Sequence, residues 1–148
     1  MSVLTAAEFL TEAERARVAQ AVGEAELRTS GEMRVHIEDH IEEDVLQHAA
    51  FVFEELGMQR TKDRNGVLVY VSVGDRQVAV IGDKGINDHV PPRFWNDVLA
   101  VMQLHFAAGR RADGLCEAVR MVGEKLRDLH PWHGEDRDEL SNEVSFRA

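Results

Sequence analysis

The feature that most restricts the fold of this chain is an apolar run followed by a turn and a return strand. Residues 67–73 read Val-Leu-Val-Tyr-Val-Ser-Val, a pattern typical of a central strand covered on both faces. The tight-turn sequence Gly-Asp-Arg-Gln at 74–77 then leads into Val-Ala-Val-Ile at 78–81, which predicts an antiparallel partner strand. A strand buried on both faces needs helices on both sides, so the sequence predicts an α/β fold.

Four segments carry helical signals. Thr11 and Glu14 form a Thr-x-x-Glu capping box, which opens a first helix that is predicted to end near Thr29. The other three predicted helices are bounded by residue types that favour helix starts and helix ends. The second is predicted to run from Asp44 to Gly57, the third from Pro91-Pro92 to Gly109, and the fourth to stop at Pro131.

A further strand lies between the first two helices. Residues 33–38 alternate apolar and polar side chains, the period of a half-buried strand, so His36 and the nearby His40 are expected to be exposed. The strand–helix–strand order makes this strand parallel to residues 67–73 through a right-handed crossover, whereas 78–81 is antiparallel. The sequence thus predicts a small mixed sheet with helices on both faces.

Length and composition favour one domain in a reducing compartment. The chain has 148 residues with 44% hydrophobic content, and residues 1–130 are predicted to form a single α/β domain. The acidic tail 131–148 either docks as an edge strand through Leu140, Val144 and Phe146 or is mobile. Cys116 has no disulfide partner, and neither an export signal nor a membrane span is recognised, so a cytoplasmic protein without a membrane partner is expected.

Charge narrows the range of partners. A formal net charge of −10 argues against nucleic acid, because phosphate backbones need a basic face. The local positive cluster of Arg60, Lys62 and Arg64 is too short to follow a nucleic-acid backbone. It suits a small anion.

The predicted sheet brings three separate loops to one end. The start of the first strand (29–32), the start of the second (61–66) and the end of the third (82–88) must converge there. Hard oxygen ligands suit calcium or magnesium, whereas cations and the exposed amides of the third helix's first turn suit phosphate or carboxylate. The alternative is ordinary turn and capping chemistry. The oxygen donors are Glu32, Asp63, Asp83, Asp88, Asn65 and Asn87. The expected anion-binding set consists of the cations Arg64, Lys84 and Arg93 together with the amide side chains of Asn65 and Asn87.

Several of these short motifs occur in the order found in the TPM-domain family, and the chain resembles that family from about residue 9 to residue 130. The most specific part is the Asn-Gly entry into the second strand followed by the Asp-Arg turn. The resemblance implies an αβα sandwich, divalent-cation binding in some members and an acid phosphatase activity ascribed to plant relatives. The matching motifs are Phe9-Leu10-Thr11 with Glu14, Ser30-Gly31-Glu32, Asn65-Gly66-Val67-Leu68, Asp75-Arg76 and Gly82-Asp83-Lys84-Gly85-Ile86.

The chain is similar to the short, soluble bacterial form of the family, and it departs from the exported members at one motif. It carries Asp83-Lys84-Gly85-Ile86-Asn87 where those members usually have Gly-x-Gly-Leu-Glu. This difference removes one acidic position and adds another at the expected cation site.

Two classes of function follow. The first is a metal-dependent phosphoesterase, in which Arg64 or Lys84 offsets developing charge. The second is a non-catalytic module that binds a cation or a protein partner through the same edge. In either case we expect carboxylate ligands from Asp63, Asp83 and Asp88, with Glu32 as a ligand or an indirect acceptor. Asp75, in the hairpin turn at the opposite end, is expected to take no part.

Other catalytic patterns fit poorly. A cysteine phosphatase needs an arginine six residues after the nucleophile, but position 122 after Cys116 is Val122. The sequence Asp-Arg-Asp at 136–138 follows no apolar strand, so it is interpreted as part of a solvated tail rather than as an aspartyl nucleophile. His130 and His133 flank Pro131, which breaks helical pairing of metal ligands.

Overall fold

The chain folds around a four-stranded mixed sheet in a computed structural model that describes residues 4–132 and 143–147. The strand order is β3-β2-β1-β4. The strands are β1 (Glu32–Glu38), β2 (Gly66–Ser72), β3 (Gln77–Gly82) and β4 (Ser145–Arg147). The helices are α1 (Ala6–Phe9), α2 (Glu12–Glu26), α3 (Val45–Glu55), α4 (Lys84–Asn87), α5 (Pro92–Ala107) and α6 (Arg111–Leu129), with a 3-10 turn at Met58–Arg60.

Strand β2 is the buried central strand that its apolar sequence predicts. Every residue of β2 is buried, and the strand lies between β1 and β3. It pairs in parallel with β1, where Glu32 lies opposite Gly66, and antiparallel with β3, where Val67 lies opposite Gly82. The mixed sheet and the hairpin are therefore confirmed.

Helices cover both faces of the sheet, as a doubly buried strand requires. One face packs against α2, α5 and α6 through a large apolar core that includes Val22, Val69 and Leu126. The other face packs against α3 and the 3-10 turn through a smaller core that includes Phe53 and Tyr70. The result is a three-layer αβα arrangement.

The predicted helix starts are confirmed at α2, α3 and α5. At the start of α2, the backbone N–H of Glu14 donates to Thr11 Oγ1 at 3.1 Å, and Thr11 N–H donates to Glu14 Oε1 at 2.8 Å. Helix α2 ends at Glu26 rather than near Thr29, which instead forms a β-bridge with Pro131. Helices α1 and α4 were not predicted, because four residues are too few to show a helical period.

The expectation of a half-buried first strand with an exposed His36 is wrong. Only Arg34 of the seven β1 residues is partly exposed, and His36 is 2% exposed. The polar face of β1 is enclosed because β4 pairs alongside it and α3 brings His48 against the neighbouring Glu38. His40, as expected, is exposed.

Strand β4 is an edge strand formed by the C-terminal segment. It runs parallel to β1, with Ser145 opposite His36, and Val144 and Phe146 pack partly buried against the larger core. Leu140, His133 and the Asp-Arg-Asp sequence at 136–138 lie outside the described residues, and the domain boundary at 130/131 stays a prediction. No helix in the part of the chain that the structure describes is long and apolar enough to cross a bilayer.

Candidate functional site

The three loops predicted to converge do meet at one end of the sheet, and we call residues 29–32, 61–66 and 82–88 the three-loop edge. Backbone hydrogen bonds join them directly. Asp83 N–H donates to Gly66 O at 2.9 Å, Gly85 N–H to Arg64 O at 2.7 Å, and Glu32 N–H to Asn65 O at 3.3 Å. The edge is thus held by main-chain contacts that do not depend on its surface charges.

Gly85 is required by the close approach of two of these loops. A Cβ atom at this position would lie 2.3 Å from the carbonyl oxygen of Asp63 and 2.5 Å from that of Arg64. Arg64 itself has a φ of 50°, in the left-handed region that non-glycine residues rarely adopt. The loop that carries Asp63 and Arg64 is therefore tightly constrained against the start of α4.

Asp83 is the best anchored acidic residue of the edge. It is 8% exposed and caps α4, with Oδ1 accepting from Lys84 N–H at 2.8 Å. Its other oxygen, Oδ2, accepts from Arg64 Nε at 2.7 Å, and this hydrogen bond raises the pKa of the guanidinium. Both carboxylate oxygens of Asp83 are therefore engaged by groups of the chain itself.

The remaining predicted donors divide into buried and exposed groups. Asn65 and Glu32 are both buried, each with 2% exposure. The side chain Nδ2 of Asn65 donates to Ser30 Oγ at 3.4 Å. Asp63 and Asp88 are exposed, and so is Lys84. The acidic groups in contact with solvent at this edge are therefore Asp63 and Asp88.

Two predicted anion-binding residues make contacts on α4 and α5. The side-chain oxygen of Asn87 accepts from Trp95 Nε1 at 2.9 Å, and Arg93 lies 4.0 Å from Asp97 within α5. The side chain of Arg93 is 88% exposed, so this pair is weak. Within residues 4–132 and 143–147, no three His, Cys, Asp or Glu side chains are grouped so that they could hold a metal ion.

The end of α6 supports the three-loop edge, a contact that the sequence did not indicate. His130 Nε2 lies 2.6 Å from Gly85 O, and Ser30 N–H donates to His130 O at 2.9 Å. Thr29 Oγ1 donates to Leu126 O at 3.0 Å. His130 thus acts as a structural bridge between α6 and two of the loops.

A second polar group lies at the opposite end of the sheet, and we call His36, Glu38, His48, Tyr70 and Arg147 the Glu38 cluster. Glu38 is 3% exposed and accepts from His36 Nε2 at 2.9 Å, His48 Nε2 at 2.8 Å and the Tyr70 hydroxyl at 3.2 Å. Arg147 of β4 lies 3.6 Å from the same carboxylate. One buried acid therefore collects partners from β1, β2, α3 and β4.

Burial changes the acidities within the Glu38 cluster. Desolvation lowers the pKa of His36 below its ordinary value, although the hydrogen bond to Glu38 works in the opposite direction. Desolvation raises the pKa of Tyr70, and the charge of Glu38 adds to that rise. Burial thus disfavours the charged forms of both His36 and Tyr70.

Comparison with protein-family models identifies the family of this chain. The family model described as "TPM domain" matches residues 3–125, which is most of the chain. The chain belongs to the TPM-domain family. No curated protein is significantly similar to it.

Two solved structures of TPM-like fold resemble this one. The NMR structure of the BA42 protein from the psychrophilic bacterium Bizionia argentinensis is 43% identical, with a TM-score of 0.88, and the alignment covers 95% of this chain and 97% of that one. The N-terminal domain of a protein from P.gingivalis is 23% identical, with a TM-score of 0.70, over 87% of this chain and 85% of that one. The second likeness shows the fold alone.

Asp75 of the TPM-domain Asp-Arg turn is a structural residue at the end of the sheet opposite the three-loop edge. Its Oδ2 accepts from Ile41 N–H at 2.8 Å and from Ser72 Oγ at 2.5 Å, and its Oδ1 lies 2.8 Å from His40 Nδ1. These bonds, led by that from Ser72, lower the pKa of its carboxyl group. Neutralising Asp75 would disturb the hairpin, so it is a poor control for experiments on the three-loop edge.

One signal in the sequence pointed to the Glu38 cluster. His48 follows Val45 by three positions and precedes Val52 by four, so it falls on the apolar face of α3. A polar residue on that face needs a buried partner. The partner comes from β1, which local pattern reading could not supply.

Proposed function

We propose that this TPM-domain protein binds a divalent cation, calcium or magnesium, at the three-loop edge. The observation that carries the proposal is the joining of three oxygen-rich loops by backbone hydrogen bonds of 2.7–3.3 Å. Such loops present carboxylates and carbonyls, the ligands that these hard cations prefer. The ligands in this proposal are Asp63, Asp83 and Asp88, with Glu32 as a further ligand or indirect acceptor.

The donor set does not form a ready-made metal site, because no three acidic or imidazole side chains among residues 4–132 and 143–147 are grouped closely enough to hold an ion, so cation binding would require side chains to rearrange. Asp63 and Asp88 are exposed, but Asp83 already binds Arg64 Nε at 2.7 Å. A cation that uses Asp83 must therefore displace the guanidinium of Arg64. Glu32 is almost fully buried, which favours the indirect role for it. The proposal thus includes competition between the cation and Arg64 for one carboxylate.

We further propose that the edge accepts a small phosphoester, with phosphatase activity as the associated reaction. Lys84 is exposed beside Asp83, and the side chain of Arg64 is 42% exposed, so both cations can reach an anion from solvent. Asn65, Asn87 and Arg93 complete the proposed anion-binding set. A bound divalent cation would polarise a phosphoryl oxygen and activate water, while Arg64 and Lys84 offset the negative charge of the phosphate.

A cation titration of matched variants tests the proposal. In the Asp83→Asn variant, the asparagine can still cap α4, but the negative charge of the carboxylate is removed. Asp44→Asn is the control, because Asp44 caps α3 at the other end of the molecule by accepting from Leu46 and Gln47 N–H at 3.1 Å. Amide-shift titration with calcium or magnesium should show at least about a tenfold loss of affinity in Asp83→Asn alone.

Arg64→Ala sharpens the test, because it removes the competitor for Asp83 and should increase cation affinity. Equal losses in Asp83→Asn and Asp44→Asn would mean that the cation only screens a protein of net charge −10, and the site would be abandoned. Hydrolysis of p-nitrophenyl phosphate should fall in parallel with binding. Binding without turnover in the parent would favour the non-catalytic cation- or partner-binding module.

A further inference from the structure

A serine, a histidine and a glutamate stand in line at the end of the sheet opposite the three-loop edge. Ser145 Oγ in β4 lies 2.6 Å from His36 Nδ1, and His36 Nε2 lies 2.9 Å from Glu38 Oε1. Ser145 is directly opposite His36 in the parallel β4–β1 pairing. The contact is therefore built into the register of the sheet.

The protons of this line follow from its partners. Glu38 also accepts from His48 and Tyr70 and lies near Arg147. A carboxylate can only accept, so the single proton of neutral His36 sits on Nε2, facing Glu38. Nδ1 is then an acceptor, and the Ser145 hydroxyl donates to it. The second acceptor near Ser145, the carbonyl of Val35, is farther away at 3.4 Å.

This arrangement has the roles of a nucleophile, a base and an orienting acid. His36 is 2% exposed, whereas Ser145 is partly exposed on an edge strand and can meet a small reagent. Arg147 is two residues farther along β4, so its side chain leaves the same face as Ser145, where it pairs with Glu55 and lies 3.6 Å from Glu38. A serine that acts as a hydrolytic nucleophile needs its histidine base and the orienting carboxylate within hydrogen-bonding distance, and Ser145, His36 and Glu38 meet that requirement.

We propose that Ser145 is a nucleophile activated by His36 and that it accepts acyl groups from small carboxylic esters. The Ser145 oxygen bonds to the ester carbonyl carbon while its proton moves to His36 Nδ1. The ester C–O bond then breaks, and the leaving alcohol takes that proton. Water next attacks the acyl-serine, again giving its proton to His36, and release of the carboxylic acid returns that proton to Ser145.

Several charged and titratable groups face His36. They are Arg34 and Glu38 on β1, Tyr70 on β2 and Arg147 on β4, with His48 of α3 reaching it through Glu38. Burial lowers the pKa of His36 from its ordinary 6.5, so the base form persists into mildly acidic solution. Acylation should therefore fall only as the pH drops through a midpoint below 6.5.

Labelling of the full chain with a fluorophosphonate probe tests the proposal. Peptide mass spectrometry of the unaltered protein should place the adduct on Ser145. Ser145→Ala should lose the adduct, and His36→Gln should slow labelling by about a hundredfold. Thr5→Ala is the control, since the Thr5 hydroxyl donates to a carboxylate, Glu8 Oε1, at 2.9 Å rather than to a histidine. It should label at the normal rate.

The positioning role of Glu38 is tested by the pH profile of labelling. The hydrogen bond from His36 to Glu38 raises the pKa of His36, so Glu38→Gln should move the midpoint to lower pH. An unchanged midpoint in folded Glu38→Gln would reject the positioning role. Absence of the Ser145 adduct in the unaltered protein, or the same adduct rate in His36→Gln, would overturn the proposal. Hydrolysis of p-nitrophenyl acetate that is lost in Ser145→Ala would extend it to turnover.

Discussion

The two ends of the sheet carry acidic residues in opposite surroundings. At the three-loop edge Asp63 and Asp88 are exposed, and Asp83 is held by one arginine and a helix cap. At the other end Glu38 is 3% exposed and is bound by two histidines and a tyrosine. A buried charge is tolerated only with such a set of donors, whereas exposed charges can exchange partners. Surface ligand binding is therefore proposed for the first end and oriented proton chemistry for the second.

The largest expected effect is that of Glu38→Ala. Removing this carboxylate leaves His36, His48 and Tyr70 without their common acceptor, while Arg147 keeps its ion pair with Glu55. Breaking a buried pair in this way costs about 3–5 kcal/mol. Urea unfolding of the variant should show this loss of free energy. A change of less than about 1 kcal/mol would mean that the Glu38 cluster is not a structural unit.

The second-largest expected effect is on the pH dependence of the free energy of unfolding, to which the two ends of the sheet should contribute differently. The pKa of His36 is lower in the folded state than its ordinary 6.5, so the unfolded chain binds more protons over the interval between the two values. The stability that neutral His36 contributes to the folded chain is therefore fully present above about pH 6.5 and is lost as the pH falls through the folded pKa of His36. One group contributes at most about 1.4 kcal/mol per pH unit in this window.

Urea unfolding measured at several pH values checks this prediction. His36→Gln should flatten the slope below pH 6.5. The carboxyl groups of Asp75 and Asp113 have lowered pKa values, so their contributions are lost only as the pH falls below their ordinary 3.8. An unchanged slope in His36→Gln would show that His36 titrates alike in the folded and unfolded chains.

The smallest expected effect on stability is that of substituting Asp63, which is exposed at the three-loop edge. Asp63→Asn should change the free energy of unfolding by no more than about 0.5 kcal/mol, as surface substitutions usually do. Thermal or urea unfolding without added cation measures it. A loss above about 1 kcal/mol would mean that Asp63 stabilises its loop, and the contrast between the two ends would narrow.

The parts of the fold that could be predicted depend on local signals. Thr11 with Glu14, Asp44 and Gly57 mark helix ends within a few residues of sequence, and all three positions serve those roles. The nearly continuous apolar run at 67–73 predicts a strand buried on both faces, and every residue of β2 is buried. The convergence of the three loops followed from strand order alone, because a parallel pair and a hairpin leave few ways to connect them.

The parts that could not be predicted depend on distant partners. The alternation at 33–38 is the same for a strand with one wet face and for one whose polar face is covered by another element. His36 is buried because Ser145 lies opposite it from 109 positions away. The sequence predicts Asp83 as a cation ligand but gives no sign that Arg64, 19 positions earlier, hydrogen-bonds to its carboxylate.

The mixed sheet, the central place of β2 and the two helix-covered faces can all be inferred from the order of residues, because apolar periodicity and turn residues act over short distances. The same order implies that three oxygen-rich loops share one end. Which of their charges are already paired, and that Glu38, His36 and Ser145 form a line, become visible only in the folded chain. Such polar contacts depend on atoms within about 3 Å of each other, and that proximity is created when α3 and β4 pack against β1.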